Sequence, residues 1–215
     1  MKQLNKRIAH LEMPDRFKGL QISDEGYPIP YFVGWVDGKP DFRLADPEKL
    51  AVCYRHRRCW LCGEPLGKFL AFVIGPMCAI NRNTAEPPSH YDCALYACIA
   101  CPFLTQPKMR RNEKDKPEHE EMPGVMLKRN PGVTLIWVTH DYWARREGRG
   151  VLFTIADPVR VEFYAEGRKA TRGEIMHSIT TGMPFLREMA EADGADAVAE
   201  LDQRYNEAMQ LLPAA

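Results

Sequence analysis

Residues 59–63 read Cys-Trp-Leu-Cys-Gly, and this short stretch decides how the middle of the chain folds. Two cysteines that are separated by two residues and followed by glycine form a turn that presents both sulfurs to one edge of a tetrahedral zinc ion. Structural zinc sites take four ligands as two short-range pairs from separate parts of a chain. A second pair of soft ligands, His90 and Cys93, follows further along. The first assignment is therefore Cys59, Cys62, His90 and Cys93.

A competing assignment replaces the second pair with Cys98 and Cys101, which gives a site of four cysteines. If residues 90–101 are helical, the two members of either pair lie one turn apart and can clamp one ion. Position favours the first pair, because the positive N-terminus of a helix stabilises a nearby thiolate. A mixed site that uses Cys78 is a third arrangement. Since four protein ligands leave no position for water, we expect a structural zinc ion.

The bulk composition is that of an ordinary globular protein of 215 residues, with 45% hydrophobic and 27% charged residues. The formal net charge is zero, so no global field attracts nucleic acid or anionic lipid, and any such contact needs a local patch. The N-terminus lacks the apolar segment of a secretory signal, which predicts a cytoplasmic protein. Seven cysteines crowded within residues 53–101 fit metal binding in a reducing compartment better than a disulfide framework.

Before the cysteine turn, the pattern predicts a strand pair and a short helix. Apolar residues at alternate positions indicate a strand, Asp37-Gly38 is a typical hairpin turn, and Asp46-Pro47 is a typical helix start. The expected elements are a strand over residues 27–36, a partner strand over 41–44 and a helix over 47–56.

After the turn, the sequence predicts a hairpin and then a helix that carries the second ligand pair. Two apolar runs, at residues 68–74 and 77–81, flank Gly75-Pro76, and the helix is expected to begin after Ser89 and to stop at Pro102. The cysteine turn (a zinc knuckle), a hairpin and a helix in this order are the arrangement of a treble clef.

The last part of the chain is predicted to hold a strand pair and several helices. The strands are expected at residues 133–139 and 151–155, and the helices at 157–167, 171–182, 184–192 and over the final segment. Thr171 and Glu174 have the spacing of a capping box. The final helix has an apolar stripe that predicts packing on the protein's own core, with a homodimer as the alternative. The stripe comprises Val198, Leu201, Tyr205, Ala208 and Leu212.

The predicted fold class is α+β, with a zinc-binding, treble-clef-like module flanked by short antiparallel strands and a C-terminal helical region. The predicted segments are an N-terminal strand pair and helix (1–58), the zinc module (59–105), a charged linker (106–123) and a region of strands and helices (124–215). We expect these segments to form one unit.

Seven basic residues surround the predicted module, and we call them the basic rim. Clustered cations of this kind favour contact with phosphates. They are Arg55, Arg57, Arg58, Lys68, Lys108, Arg110 and Arg111. We therefore expect a non-enzymatic, zinc-stabilised protein that contacts nucleic acid. One alternative is a protein-protein interaction factor, such as a phage-encoded modulator or inhibitor of a host system. A metal-dependent nuclease is a further alternative, although the predicted hairpin lacks the histidine that such a site needs.

Short motifs are spread over most of the chain beyond the cysteines. They are Arg-Cys-Trp-Leu-Cys-Gly at 58–63, Gly-Pro-Met-Cys at 75–78, Pro-Pro-Ser-His at 87–90, Ala-Cys-Pro-Phe-Leu at 100–104, Gly-Lys-Pro-Asp-Phe-Arg at 38–43, Asn-Pro-Gly-Val at 130–133 and Glu-Gly-Arg-Lys-Ala-Thr-Arg at 166–172. In these motifs the chain resembles a family of uncharacterised bacterial and bacteriophage proteins to which no activity is attached. The resemblance implies a bacterial or phage origin and a location in the cytoplasm of the bacterial host.

Overall fold

Antiparallel strands and helices alternate along the chain, which confirms the α+β class. The computed structural model describes residues 2–106, 131–147 and 150–214. No helix in these ranges is both long enough and apolar enough to cross a bilayer. A one-turn 3-10 helix spans Asp15–Phe17, and the remaining elements are β1 (Val33–Val36), β2 (Lys39–Ala45), α1 (Pro47–His56), β3 (Leu70–Ile74), α2 (Pro76–Asn81), β4 (Asn83–Thr84), α3 (Tyr91–Ala100), α4 (Pro102–Thr105), β5 (Thr134–Thr139), β6 (Tyr142–Glu147), β7 (Gly150–Ile155), β8 (Arg160–Ala165), β9 (Arg168–Lys169), α5 (Arg172–Asp193) and α6 (Ala195–Gln210).

The N-terminal hairpin and helix confirm the sequence interpretation. β1 and β2 pair antiparallel around Asp37 and Gly38, whose φ angles of 49° and 74° are those of a tight hairpin turn. The Asp46 carboxylate accepts hydrogen bonds from the first backbone N–H groups of α1. The strand predicted from residue 27 was too long, since β1 begins only at Val33.

Two sheets face each other, and we call the cluster of buried side chains between them and around them the main core; its members are Leu50, Cys53, Trp60, Leu70, Phe72, Ile74, Ala79, Leu135, Trp137, Val151, Phe153 and Ile155. One sheet has the strand order β3-β5-β8-β9 and the other β4-β7-β6. Phe72 and Trp137 from the first sheet pack with Phe153 from the second, and all three are at most 1% exposed. Helix α3 covers the opposite face of the first sheet through Ala94 and Cys98. Helix α3 is therefore anchored on the face of the first sheet.

The hairpin predicted after the cysteine turn was wrong in its second strand. Residues 76–81 form helix α2, and β3 pairs instead with β5 from the later part of the chain. Pro76 occupies the first position of the helix, where its fixed φ is favourable. Met77 and Ile80, three residues apart, then bury the same face. A short apolar run does not distinguish a strand from a buried helix.

The strand pairing predicted for the later region was also wrong. β5 lies between β3 and β8, whereas β7 lies between β4 and β6. The segment predicted as a helix over residues 157–167 is strand β8, in which Phe163 faces the main core while Glu162 and Tyr164 face α3. That alternation has the two-residue period of a strand.

The C-terminal helices confirm the capping box and correct the helix boundaries. The Thr171 side chain accepts the Glu174 backbone N–H, and the Glu174 carboxylate accepts the Thr171 backbone N–H. Helix α5 then continues through Gly182 and Pro184 to Asp193, so two predicted helices are one. The stripe on α6 packs on the protein's own core, as expected. We call this core the C-terminal cluster; its buried members are Met77, Ile80, Val133, Ala165, Ile175, Ile179, Leu186, Ala190 and Leu201.

Candidate metal centre

Four side chains from two distant parts of the chain converge beside α3. One ligand atom each from Cys59, Cys62, His90 and Cys93 lies within 4.8 Å of the other three, and we call this group the metal cluster. His90 is the N-cap of α3 and Cys93 lies in its first turn. Cys59 and Cys93 are fully buried. The set could hold a metal ion.

The cysteine turn is closed by backbone hydrogen bonds and by a glycine that no other residue could replace without strain. The Gly63 N–H donates to the Cys59 carbonyl, and the Cys59 N–H donates to the Glu64 carbonyl. Gly63 has a φ of 79°, and a Cβ there would lie only 2.7 Å from the Tyr31 ring. The Cys62 N–H points at the Cys59 sulfur from 3.4 Å. These contacts fix both sulfurs on the same side of the turn.

The ring of His90 is oriented for ligation through Nδ1. Its Nε2 lies 3.0 Å from the Pro65 carbonyl oxygen, which can only accept a hydrogen bond, so Nε2 is the protonated nitrogen in the neutral ring. The lone pair of Nδ1 is then directed at the cluster, 3.4 Å from the Cys62 sulfur and 3.9 Å from the Cys93 sulfur. A backbone carbonyl that fixes the tautomer in this way is a common partner of metal-binding histidines.

The clustered thiols of the metal cluster would be stabilised as thiolates by a positive charge between them. Hydrogen bonds from Cys62 and Cys93 lower the pKa of the Cys59 thiol, and the backbone N–H of Cys62 acts in the same direction. Hydrogen bonds with Cys59 and Cys62 raise the pKa of the Cys93 thiol, and burial and the repulsion of neighbouring thiolates act in the same direction. Hydrogen bonds with the sulfurs of Cys59 and Cys62 raise the pKa of His90 to about 10, and the bond with Cys59 has the larger effect. A bound cation would satisfy all three thiolates and leave the imidazole neutral.

The other four cysteines do not join the metal cluster. Cys98 is buried between α3 and the first sheet, where desolvation raises its thiol pKa. Cys101 caps the end of α3, and burial raises its thiol pKa as well. Cys78 packs beside the main core and Cys53 lies within it. The geometry brings together the first ligand assignment and not the alternatives with Cys98, Cys101 or Cys78.

A half-buried carboxylate ties the ligand-bearing helix to the sheet. Glu162 on β8 accepts hydrogen bonds from the hydroxyls of Tyr91 and Tyr164 and from Lys169, and it pairs with Arg160. The Arg160 guanidinium in turn lies over the Tyr91 ring at 4.4 Å. Tyr91 immediately follows His90, so this network holds the start of α3 in place. Sequence analysis missed it, because the contact joins residues 71 positions apart.

The described part of the basic rim flanks the cysteine turn. The Leu66 N–H donates to the Arg57 carbonyl, which places the segment that leads to Lys68 beside the end of α1. Arg58 donates to the Gly63 carbonyl and so helps to close the turn. Arg57 lies over the Tyr142 ring at 5.9 Å, and Arg55 is exposed. The rim residues Lys108, Arg110 and Arg111, like most of the predicted linker over 106–123, lie outside the described residues.

Comparison of the chain with protein family models, with curated proteins and with solved structures gave no match. The bacterial or phage origin implied by the resemblance therefore stays a prediction.

Proposed function

We propose that the metal cluster binds one zinc ion and that this ion is structural. Three sulfurs and one imidazole are the donors that zinc takes in closed, four-coordinate sites. The orientation of His90, with Nε2 held by the Pro65 carbonyl, carries the proposal, because it turns Nδ1 toward the three sulfurs. The bound ion would join the turn at residues 59–63 to the start of α3. Four protein ligands leave no position for a water nucleophile, which favours a structural role over a nuclease.

The proposed module has two of the three parts of a treble clef. A cysteine turn supplies one ligand pair and the start of a helix supplies the other. The part between them differs, since β3, α2 and the two-residue strand β4 replace a hairpin. We therefore propose a treble-clef-like module whose middle part contributes β3 to one of the two facing sheets and β4 to the other.

We further propose that the protein contacts nucleic acid through the basic rim. Within the described ranges, no acidic side chain pairs with Arg55, Arg57 or Lys68, so these charges are available to phosphates. The nearest acidic group on the cysteine turn, Glu64, already pairs with Arg16. A local patch of unpaired cations on a chain of zero net charge is consistent with this contact.

The salt dependence of binding tests the contact with nucleic acid. We expect a labelled oligonucleotide to bind the zinc-loaded protein and to dissociate as salt rises. Each of Arg57→Ala and Lys68→Ala should reduce the slope of log K against log salt by about one. Lys2→Ala is the matched control, because Lys2 pairs with Asp24 away from the rim. Binding that is independent of salt, or equal in the variants and the control, would contradict the proposal.

A protein partner is the second candidate, and the β1–β2 hairpin favours it. Trp35 and Phe42 lie on this hairpin with 44% and 45% of their surface exposed. Exposed aromatic side chains of this kind are enriched in protein interfaces. A partner that co-purifies after nuclease treatment and is lost in Trp35→Ala, with oligonucleotide binding unchanged, would favour this function.

A further inference from the structure

Two aromatic rings, Phe69 and His140, lie next to each other just beyond the paired ends of β3 and β5. The register of these strands pairs Leu70 with Thr139, which places Phe69 beside His140. The two ring centroids are 4.9 Å apart with an interplanar angle of 45°. Phe69 is 56% exposed, and the His140 ring is positioned by its Nδ1, 3.3 Å from the Lys68 carbonyl oxygen. Phe69 is therefore an exposed ring directly before β3 and directly after the rim residue Lys68.

The charges around this pair suit an anionic partner. Lys68 precedes Phe69 directly and pairs with no acidic side chain in the described ranges, whereas Arg160, on β8 opposite Val138, is already paired with Glu162. Two of the acidic residues nearby, Glu162 and Asp157, are paired with cations of the protein. The Asp141 carboxylate accepts the Tyr142 backbone N–H, and Glu162 is surrounded by Tyr91, Tyr164 and two cations.

We propose that Phe69, supported by His140, is a stacking platform for an unpaired base of single-stranded nucleic acid, with Lys68 on the adjoining phosphate. This inference rests on the proposed function and adds the class of nucleic acid to it. A base within a duplex has both faces covered by its neighbours, whereas a base of a single strand can lie flat on an exposed ring. Because every base has a π-face, the platform should tolerate different sequences.

Paired binding measurements on single-stranded and duplex DNA test the platform. We would measure fluorescence anisotropy with a labelled single strand of about 12 nucleotides and with its duplex, on zinc-loaded protein. Phe69→Ala should weaken binding of the single strand about tenfold and leave duplex binding unchanged. Phe69→Trp should restore the affinity for the single strand, because it restores a ring. Phe42→Ala is the matched control, since Phe42 is similarly exposed but lies on the β1–β2 hairpin.

The outcomes distinguish a failure of the platform alone from a failure of the proposed function. If Phe69→Ala binds the single strand as tightly as the unmodified protein, while Lys68→Ala binds more weakly, the platform is wrong and the basic rim stands. Equal weakening of single strand and duplex by Phe69→Ala also overturns the platform, because stacking on the ring needs an unpaired base. If neither oligonucleotide binds the unmodified protein, the proposed function and the platform fail together. Metal content and circular dichroism of the variants show that they are folded.

Discussion

The region around the metal cluster and the C-terminal cluster are held together by different forces. Residues 2–32 contain only one turn of regular helix within the described structure, and the small core beneath them includes two metal-cluster cysteines, Cys59 and Cys93. The C-terminal cluster instead joins two long helices, α5 and α6, to α2 and β8 through aliphatic side chains. We therefore expect burial to dominate the stability of the C-terminal region and the proposed ion to contribute mainly to the N-terminal region.

A crosslink adds most to stability where a segment buries little apolar surface. Aliphatic side chains that are fully buried contribute about 1.5–3 kcal/mol each, so a cluster rich in leucine and isoleucine offsets the entropy of ordering its helices. A segment built from turns fixes its backbone without the cooperativity of a helix and buries less apolar surface per residue. A metal ion that joins such a segment to a rigid helix supplies the missing free energy.

The largest effect is expected from Cys93→Ser, which removes one ligand of the metal cluster. Structural zinc contributes about 10–16 kcal/mol in zinc-finger peptides, so we expect loss of stoichiometric zinc and a fall of at least several kcal/mol in stability. The N-terminal region should become sensitive to protease while α5 and α6 stay protected. Metal analysis and limited proteolysis measure these changes. Cys98→Ser should keep its zinc, and the opposite pattern would favour the four-cysteine site.

A smaller effect is expected from Ile175→Ala in the C-terminal cluster. Ile175 is fully buried, and the cavity left by this substitution should lower the free energy of unfolding by about 2–5 kcal/mol. Zinc content should not change, because the cluster does not share residues with the metal cluster. Urea denaturation with metal analysis checks both statements. Loss of zinc in this variant would mean that the two regions fold as one unit.

Glu162→Gln should lower the stability of the fold by a moderate amount that depends on pH. Burial alone would raise the pKa of Glu162, but hydrogen bonds from Lys169, Tyr164 and Tyr91 outweigh it and lower the pKa to about 2 from 4.5. The ionised group therefore stabilises the fold above pH 4.5, and this contribution is lost as the pH falls toward 2. At pH 7 the variant should be less stable by about 2 kcal/mol, with the difference shrinking in acid.

The free energy of unfolding, measured between pH 7 and pH 3, shows how much the ionised Glu162 carboxylate contributes to stability. Glu188→Gln, on an exposed position of α5, is the control and should follow the unmodified protein at every pH. A constant difference between Glu162→Gln and the unmodified protein across this range would show that the carboxylate acts by packing and not by charge.

The smallest effect is expected from Thr171→Ala, which removes half of the capping box of α5. The loss of this hydrogen bond should cost about 1 kcal/mol of stability and leave zinc content and oligonucleotide binding unchanged. Thermal unfolding followed by circular dichroism at 222 nm, the usual helix signal, measures it. A change in metal binding here would contradict the independence of the two regions.

Local signals in the sequence predicted the parts of the fold that local chemistry determines. The Asp37-Gly38 turn, the Asp46 cap and the Thr171–Glu174 box each depend on side chains within a few residues, and each is confirmed. The convergence of Cys59 and Cys62 with His90 and Cys93 also followed from spacing and chemistry.

The parts that sequence analysis missed depend on distant contacts. Whether residues 77–81 form a strand or a helix is decided by packing against α5 and α6, which lie about a hundred residues later. Strand β8 was interpreted as a helix because the Asp-Pro before it is typical of a helix start. The Phe69–His140 pair exists only because β3 pairs with β5, and no local motif indicates that register.

The order of the chain has a consequence for synthesis on the ribosome. All four members of the metal cluster precede residue 94, whereas the pairing partner of β3 begins at Thr134. A nascent chain can thus complete its zinc site while β3 still lacks the strand that will cover its edge. We infer that zinc uptake comes first and fixes the start of α3 before β5 pairs with β3. Ribosome-bound chains arrested at successive lengths would reveal the order, and zinc uptake only after β5 has emerged would refute it.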